Sequence, residues 1–389
     1  MNNSQTKLKK GLSLSGGGFR ATLYSLGSLI RLNETGLMRE LDTITSVSGG
    51  SISSAWLMLN WNKLNFKRSA DNPDLFIAEN FNDIITKPLL EFCSRYIVGH
   101  KEIFLSKIFP CYSAVNSVKS KYSKYLFGDV LLKDIELSHG APEFIFYGTN
   151  LDTGSSVRIQ KESVRDYNIG IAHDHTLSLA QAISISSGFP PFLSPIVIDS
   201  SDWDWDSSGY EKLPKNVLDR LRQRLILCDG GLYDNMGLEA LWKTGNEQEF
   251  GTIFCCDAGA PMSMPWAKKD LKYYSWFKQF NRMTDIMINQ QRALRKRTLL
   301  NNLIKGEYKG GYWGIDIRLT DSDRQQFLLE KEFDQQYSHI KFLETQLKPF
   351  SDSDMRKLIN LGYCHSDLVL RQRFDSNISK PTSIPFSSS

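Results

Sequence analysis

The sequence predicts an α/β fold, a sheet layered between helices in an α/β/α arrangement with helical insertions. Three observations carry that expectation. Short apolar runs stop abruptly at glycine or aspartate, helical periodicity follows the first of them, and the same strand–turn–helix order then repeats.

Gly11-Leu12-Ser13-Leu14-Ser15 reads as a short strand running into Gly16-Gly17-Gly18. Apolar residues then recur at Phe19, Leu23, Leu26, Ile30 and Leu37, the spacing of one helix face, and Gly36 is placed to end that helix. Ile44-Thr45-Ser46-Val47 reads as a second strand, followed by Ser48-Gly49-Gly50 and an apolar helix through Ala55, Trp56, Leu57 and Leu59. Such alternation gathers loops at the carboxyl ends of the strands. Residues 63–130 are aromatic and basic without clean strands, and read as a helical insertion. Strand character resumes at Phe144–Gly148 and Val157–Ile159. It returns at Leu225–Cys228, which stops at Asp229-Gly230-Gly231, and at Thr252–Cys256, which ends at Asp257. Trp276, Phe280, Met283, Met287 and Leu294 mark a long amphipathic helix. Residues 374–389, rich in Ser and Pro, read as a mobile tail. With no internal repeat and no linker, residues 9–373 read as one domain, its motifs within 9–260 and a helix-rich part over 261–373.

Composition narrows the class of function. A chain of 389 residues, 41% hydrophobic and 23% charged, has the make-up of a globular protein with ample core. Against 43 Asp+Glu, 47 Lys+Arg leave a net charge of only +4, too small for nucleic-acid binding through bulk charge. The 6 Cys include no CxxC and no metal-ligand spacing, which predicts reduced thiols, a cytoplasmic setting and no metal or other cofactor. The N-terminus lacks the long apolar region of a secretory signal. In the uncharged stretch Thr176–Ile198, Gly188, Pro190, Pro191 and Pro195 would break a spanning helix, so no membrane span is predicted.

Three small motifs stand where chemistry is usually placed. Ser15-Gly16-Gly17-Gly18-Phe19-Arg20 opens a helix, where bare backbone amides face an anion, either a phosphate or a tetrahedral oxyanion. No GxxxxGK[ST] and no GxGxxG accompany it. Ser46-Val47-Ser48-Gly49-Gly50 sits in the strand–turn–helix context of a nucleophile elbow, with Ser46 where G-x-S-x-G has its first glycine. A serine hydroxyl requires a base. His339 and His365 follow Asp229 and would complete a Ser–Asp–His order; Asp229, at a strand end before two glycines, could instead approach the serine directly.

Taken in order, Ser15–Arg20, Ser46–Gly50 and Asp229–Gly237 (DGGLYDNMG) closely resemble the motifs of patatin-like phospholipases, especially bacterial members. Phe144–Gly154 (FIFYGTNLDTG) and Ala182–Pro195 (AISISSGFPPFLSP) resemble that family's central blocks, so the likeness spans roughly residues 9–260. The resemblance implies a three-layer α/β/α sheet and a Ser–Asp dyad. Ser48 would be the nucleophile and Asp229 its base, with the Gly16, Gly17 and Gly18 amides as oxyanion hole and Arg20 supporting that loop. It implies metal-free hydrolysis of acyl esters in phospholipid or another lipid, with peripheral contact at a membrane surface. Some bacterial members are antiphage effectors switched on by cyclic nucleotides, which adds a cyclic-nucleotide activator as a minor reading. The rival readings are a Ser–His–Asp esterase and a non-catalytic lipid- or phosphate-binding protein.

Other features have plainer readings beside functional ones. Asp202, Asp204 and Asp206 begin like a calcium loop, but Ser207 and Leu213 stand where glycine and glutamate belong. They read as a solvated acidic loop, with Trp203 and Trp205 near the site mouth. Lys119, Lys121 and Lys124 interleave with Tyr122, Tyr125 and Phe127 after Phe104, Leu105, Phe109 and Tyr112. That pattern fits a lid or a lipid-facing surface, and equally an ordinary amphipathic helix. Arg292, Arg295, Lys296 and Arg297 suit the end of a helix or a phosphate-bearing ligand.

Overall fold

A computed structural model describes residues 8–69, 72–98, 114–191, 193–242, 250–262, 264, 276–327 and 336–386. The chain runs through β1 (Lys9–Leu14), α1 (Gly18–Glu34), β2 (Thr43–Ser46) and α2 (Gly49–Asn60) into a small ribbon, β3 (Phe66–Arg68) with β4 (Phe76–Ala78), and then α3 (Ala114–Tyr122). A meander of β5 (Glu143–Asn150), β6 (Ser156–Ile159), β7 (Val164–Asp166) and β8 (Gly170–His173) leads to α4 (Leu179–Ser186). Then come β9 (Ile196–Asp199), β10 (Asp204–Asp206), β11 (Arg224–Asp229) and α5 (Gly231–Asp234). The last part holds β12 (Phe250–Asp257), α6 (Trp276–Lys305), β13 (Lys309–Gly314) and α7 (Asp352–Val369).

Among the described residues one 11-stranded sheet organises the chain, in the order β10-β8-β7-β6-β5-β2-β1-β12-β13, with β11 pairing β5 and β9. From β13 to β5 the neighbours are parallel; from β5 out to β10 they are antiparallel.

Alternation along the strands sends side chains to both faces. On β12, Phe254 and Cys256 join the large cluster built with α1, α2 and α7, while Ile253 and Cys255 meet Met236, Leu241 and Leu299 on the other face. On β5, Phe144 and Phe146 point to the first cluster, and Ile145 and Tyr147 to a small one with Val47 and Ala240. Helices therefore cover both faces, the expected α/β/α layering. Cys93, Cys228, Cys255, Cys256 and Cys364 are buried free thiols, and Cys111 lies outside the described residues. No described helix is long and apolar enough to cross a membrane.

Three readings of the sequence are corrected. The 63–130 insertion does contain strands, β3 and β4; each is three residues long, too short for a period to register. The 374–389 tail is not loose over its described part. Ile378, Ile384 and Phe386 lie against the core, the Asn360 amide brackets the Phe386 backbone at 2.7 and 3.0 Å, and Arg31 donates to the Ser379 carbonyl. Averaging over Ser and Pro hid those apolar anchors. Asp204–Asp206 form the sheet-edge strand β10, not a loop, and Trp203 is buried beside Trp205 and His175. Four strands separate that edge from β2, so the tryptophan pair is remote from the Ser48 turn.

Candidate active site

β5 brings the motifs together. Its first half pairs in parallel with β2, setting Ser46 opposite Phe146. Its second half pairs antiparallel with β11, setting Asp229 opposite Gly148. β2 and β11 therefore meet head to head along one edge of β5, and the residues that end them converge. The sequence predicted a loop at the carboxyl end of each strand. It did not show that β11 enters from the opposite direction.

Ser48, where β2 turns into α2, has φ 51° and ψ −119°, a backbone conformation strained for a residue with a side chain. The surroundings enforce it. The Ser48 N–H donates to Ser186 Oγ at 3.0 Å, and the Gly50 N–H to the Val47 carbonyl at 2.9 Å. Position 49 admits only glycine, because a Cβ there would lie 2.0 Å from the Gly18 carbonyl oxygen. Ser186 also shares a 2.8 Å hydrogen bond with Ser51, which joins Ser46 at 3.1 Å, and Ser46 joins Ser54 at 2.9 Å. Ser46 and Ser51 are thus buried scaffolding for the turn. Ser186→Ala strands the Ser48 N–H and leaves the Ser51 hydroxyl with Ser46 alone, and is expected to cost about 1–3 kcal/mol of stability, read as a lower urea midpoint with unchanged m-value.

The Ser48 side chain lies beside the Asp229 carboxylate and favours its charged form. Asp229 is 2% exposed, and burial pushes its pKa up to about 7, against the pull of the Gly231 amide, which donates to it at 2.7 Å, and of the Ser48 hydroxyl. Its backbone is fixed at both ends: the N–H donates to the Gly188 carbonyl at 3.0 Å, and the carbonyl accepts from Thr149 Oγ1 at 2.9 Å.

The glycine loop faces this pair, and its amides are not equivalent. The Gly16 N–H donates to the Asn235 carbonyl at 3.0 Å and is committed. The Gly17 and Gly18 amides donate to no group among the described residues, and they lie at the positive end of α1. Gly18 has φ 58°, and a Cβ on it would lie 2.5 Å from the Gln346 carbonyl oxygen, so the loop is closely backed. Buried Arg20 fastens it from behind. Its Nε donates to the Ala258 carbonyl at 3.0 Å, and its other nitrogens reach the Leu343 carbonyl and, at 3.2 Å, Thr345 Oγ1. Burial, with Arg292 nearby, lowers the Arg20 pKa to about 10.

A strained serine beside a buried aspartate and two open amides is the setting in which comparison with known proteins becomes informative. The profile of the patatin-like phospholipases matches residues 12–242. The chain belongs to that family. Human GIVD cytosolic phospholipase A2 shares the fold at 13% identity and a TM-score of 0.52, over 94% of this chain and 59% of that one. This patatin-like chain thus spans about three fifths of the human protein's length. VipD from Legionella pneumophila aligns over 94% of this chain and 67% of its own, at 15% identity and a TM-score of 0.37, too loosely to add to the fold assignment. No curated protein matches by sequence.

In the patatin-like fold the two candidate histidines stand elsewhere. His339 is exposed and bonds Asp354 at 2.7 Å. His365 is buried in α7, shares a 2.9 Å hydrogen bond with Tyr24, and is driven by burial to a pKa of about 3. On α3, Tyr122 is buried with its hydroxyl 3.0 Å from Ser187, and Val115 and Val118 are buried too. That face is core, not a lipid-facing surface; Phe104, Leu105, Phe109 and Tyr112 lie outside the described residues. The cationic cluster near residue 295 is engaged internally. Arg292 pairs with Asp257 at 2.7 Å, Arg295 with Asp234 at 3.3 Å and Glu239 at 3.0 Å, and Lys296 with Asp316 at 3.7 Å. Among the described residues no three His, Cys, Asp or Glu side chains gather as a metal site.

Sequence reasoning missed Ser186, Thr149, Asn235 and the Leu343–Gln346 segment as supports of the site. Ser186, Thr149 and Asn235 fall inside blocks already singled out by resemblance. Leu343–Gln346 carries no local signal, because it contributes mainly backbone carbonyls.

Proposed function

We propose that the protein hydrolyses carboxylic acyl esters of glycerophospholipids, with Ser48 as nucleophile and Asp229 as its base. The observation that carries this reading is the strained Ser48 turn set beside a buried carboxylate, Asp229, which burial pushes up to about 7. A base poised there is ionised in a large share of molecules at neutral pH, yet basic enough to take a proton.

Asp229 takes the hydroxyl proton as Ser48 Oγ bonds to the ester carbonyl carbon. The resulting oxyanion is met by the Gly17 and Gly18 amides, each worth about 3 kcal/mol of barrier in sites of this kind. Collapse breaks the bond to the alcohol oxygen, which leaves with the proton from Asp229 as a lysophospholipid. Water, deprotonated by Asp229, then attacks the acyl-Ser48 ester, and the fatty acid departs as the proton returns to Ser48. No histidine takes part. A cyclic-nucleotide activator could use the region after residue 260, where Arg292 and Arg295 are already engaged with carboxylates.

The test is mass spectrometry of diacylphospholipid vesicles incubated with the protein, with and without cyclic nucleotides. Fatty acid and lysophospholipid are expected from wild type and, at the same rate, from His339→Ala. Folded wild-type protein that releases neither would sink the reading. Loss of turnover in His339→Ala would restore the histidine triad.

A further inference from the structure

α6 joins β12 to β13, which are parallel neighbours, so it must run back against them. Its last third is anchored, with Leu299 buried against Met236, Leu241 and Cys255. Arg292 is fixed at the carboxyl end of β12, donating to Asp257 at 2.7 Å and to the Ala260 carbonyl at 3.2 Å. Residues 276–291 therefore rise beyond the sheet by about 24 Å at the helical rise per residue. They project from the end of the molecule that holds the glycine loop and the Ser48 turn.

This projecting part is apolar where it meets solvent. Trp276 is 78% exposed, Phe280 51%, Met283 60% and Met287 65%. Their spacing of four, three and four residues aligns them in one stripe. Lys278, Arg282 and Asp285 lie off it; at about 100° per residue, Lys278 and Asp285 fall opposite Trp276, and Arg282 about 120° round from it.

Resting on the hydrolase reading above, we propose that this stripe docks the protein on a phospholipid bilayer and turns the Ser48 face toward it. Tryptophan, phenylalanine and methionine suit the boundary between headgroups and acyl chains, and this stripe stands at the end of the molecule where a phospholipid substrate must enter. A second copy of the chain fits less well. Gln290 interrupts the stripe and Leu294 alone resumes it before Arg297, whereas a coiled-coil seam needs roughly three or four unbroken heptads. The anchor also reaches the site, since Arg292 holds Asp257 and Ala260, and the intervening Ala258 carbonyl accepts from Arg20 behind Gly17.

The test is a double variant, Met283→Asp with Met287→Asp, both exposed positions. Wild type and variant are floated with vesicles of phosphatidylcholine and phosphatidylglycerol, assayed on vesicles and on soluble p-nitrophenyl butyrate, and sized by light scattering. Vesicle binding and vesicle hydrolysis are expected to fall together by roughly tenfold or more, with hydrolysis of the soluble ester and thermal melting unchanged. Undiminished vesicle binding overturns the proposal. A wild-type dimer that the substitutions break, with vesicle binding intact, overturns it in favour of a second copy. If neither ester nor lipid is cleaved by wild type, yet it floats and the variant does not, docking stands and the hydrolase reading fails.

Discussion

Ser48→Ala is expected to lower phospholipid hydrolysis by about ten-thousand- to million-fold, as loss of a serine nucleophile does elsewhere, and to abolish labelling by a fluorophosphonate probe. Ser48→Gly should be equally inactive but more stable than the alanine variant by about 1 kcal/mol. The φ of 51° that strains alanine costs glycine little. The pair of variants separates the chemistry of the hydroxyl from the geometry of the turn. Residual activity above about one per cent in both, or labelling at another serine, would remove Ser48 from the mechanism.

Asp229→Asn should cost about ten-thousand-fold in activity and at the same time stabilise the protein at alkaline pH. Burial raises the folded pKa of Asp229 to about 7, whereas in the unfolded chain it returns to the ordinary carboxylate range near 4. Between those values the native state holds a proton that the unfolded state has released. Stability therefore falls as pH rises through that window, by about 1.4 kcal/mol per unit, and above pH 7 the whole penalty remains. The asparagine variant has no such charge to bury. Its melting temperature should exceed that of wild type at pH 8 by an amount corresponding to about 2–4 kcal/mol, with the gap closing toward pH 4. In wild type, kcat/KM should climb with unit slope below pH 7 and level off above it, as the carboxylate becomes the ionised base. A pH-independent melting difference would mean that Asp229 is ionised at its ordinary pKa.

The central strands and helices were legible because each carries a clean period. Predicted Gly11–Ser15 is β1, Ile44–Val47 is β2 within one residue, and the helix after Gly18 ends at Glu34 with Gly36 in the left-handed conformation expected of a stop. Ser48 and Asp229 were legible because small residues crowd both of them. β7, β8 and β10 were not, being three or four residues long with charged or glycine positions that carry no alternation. β13, KGGYWG, reads as a turn by composition and becomes a strand because β12 offers it a parallel edge. The division of labour in the glycine loop was equally hidden. Which of the three amides stays open depends on the Asn235 carbonyl, more than two hundred residues away in sequence.

The head-to-head meeting of β2 and β11 makes β5 a ruler for the reaction. Ser46 is read off at Phe146 and Asp229 at Gly148, so Tyr147 alone sets the gap between the ends of β2 and β11. One residue inserted there would push the two apart by about 3.3 Å and turn every later β5 side chain to the wrong face. On the mechanism proposed above, such a change would abolish hydrolysis without altering Ser48 or Asp229. β5 should accordingly tolerate exchanged side chains that keep their size far better than any change in its length.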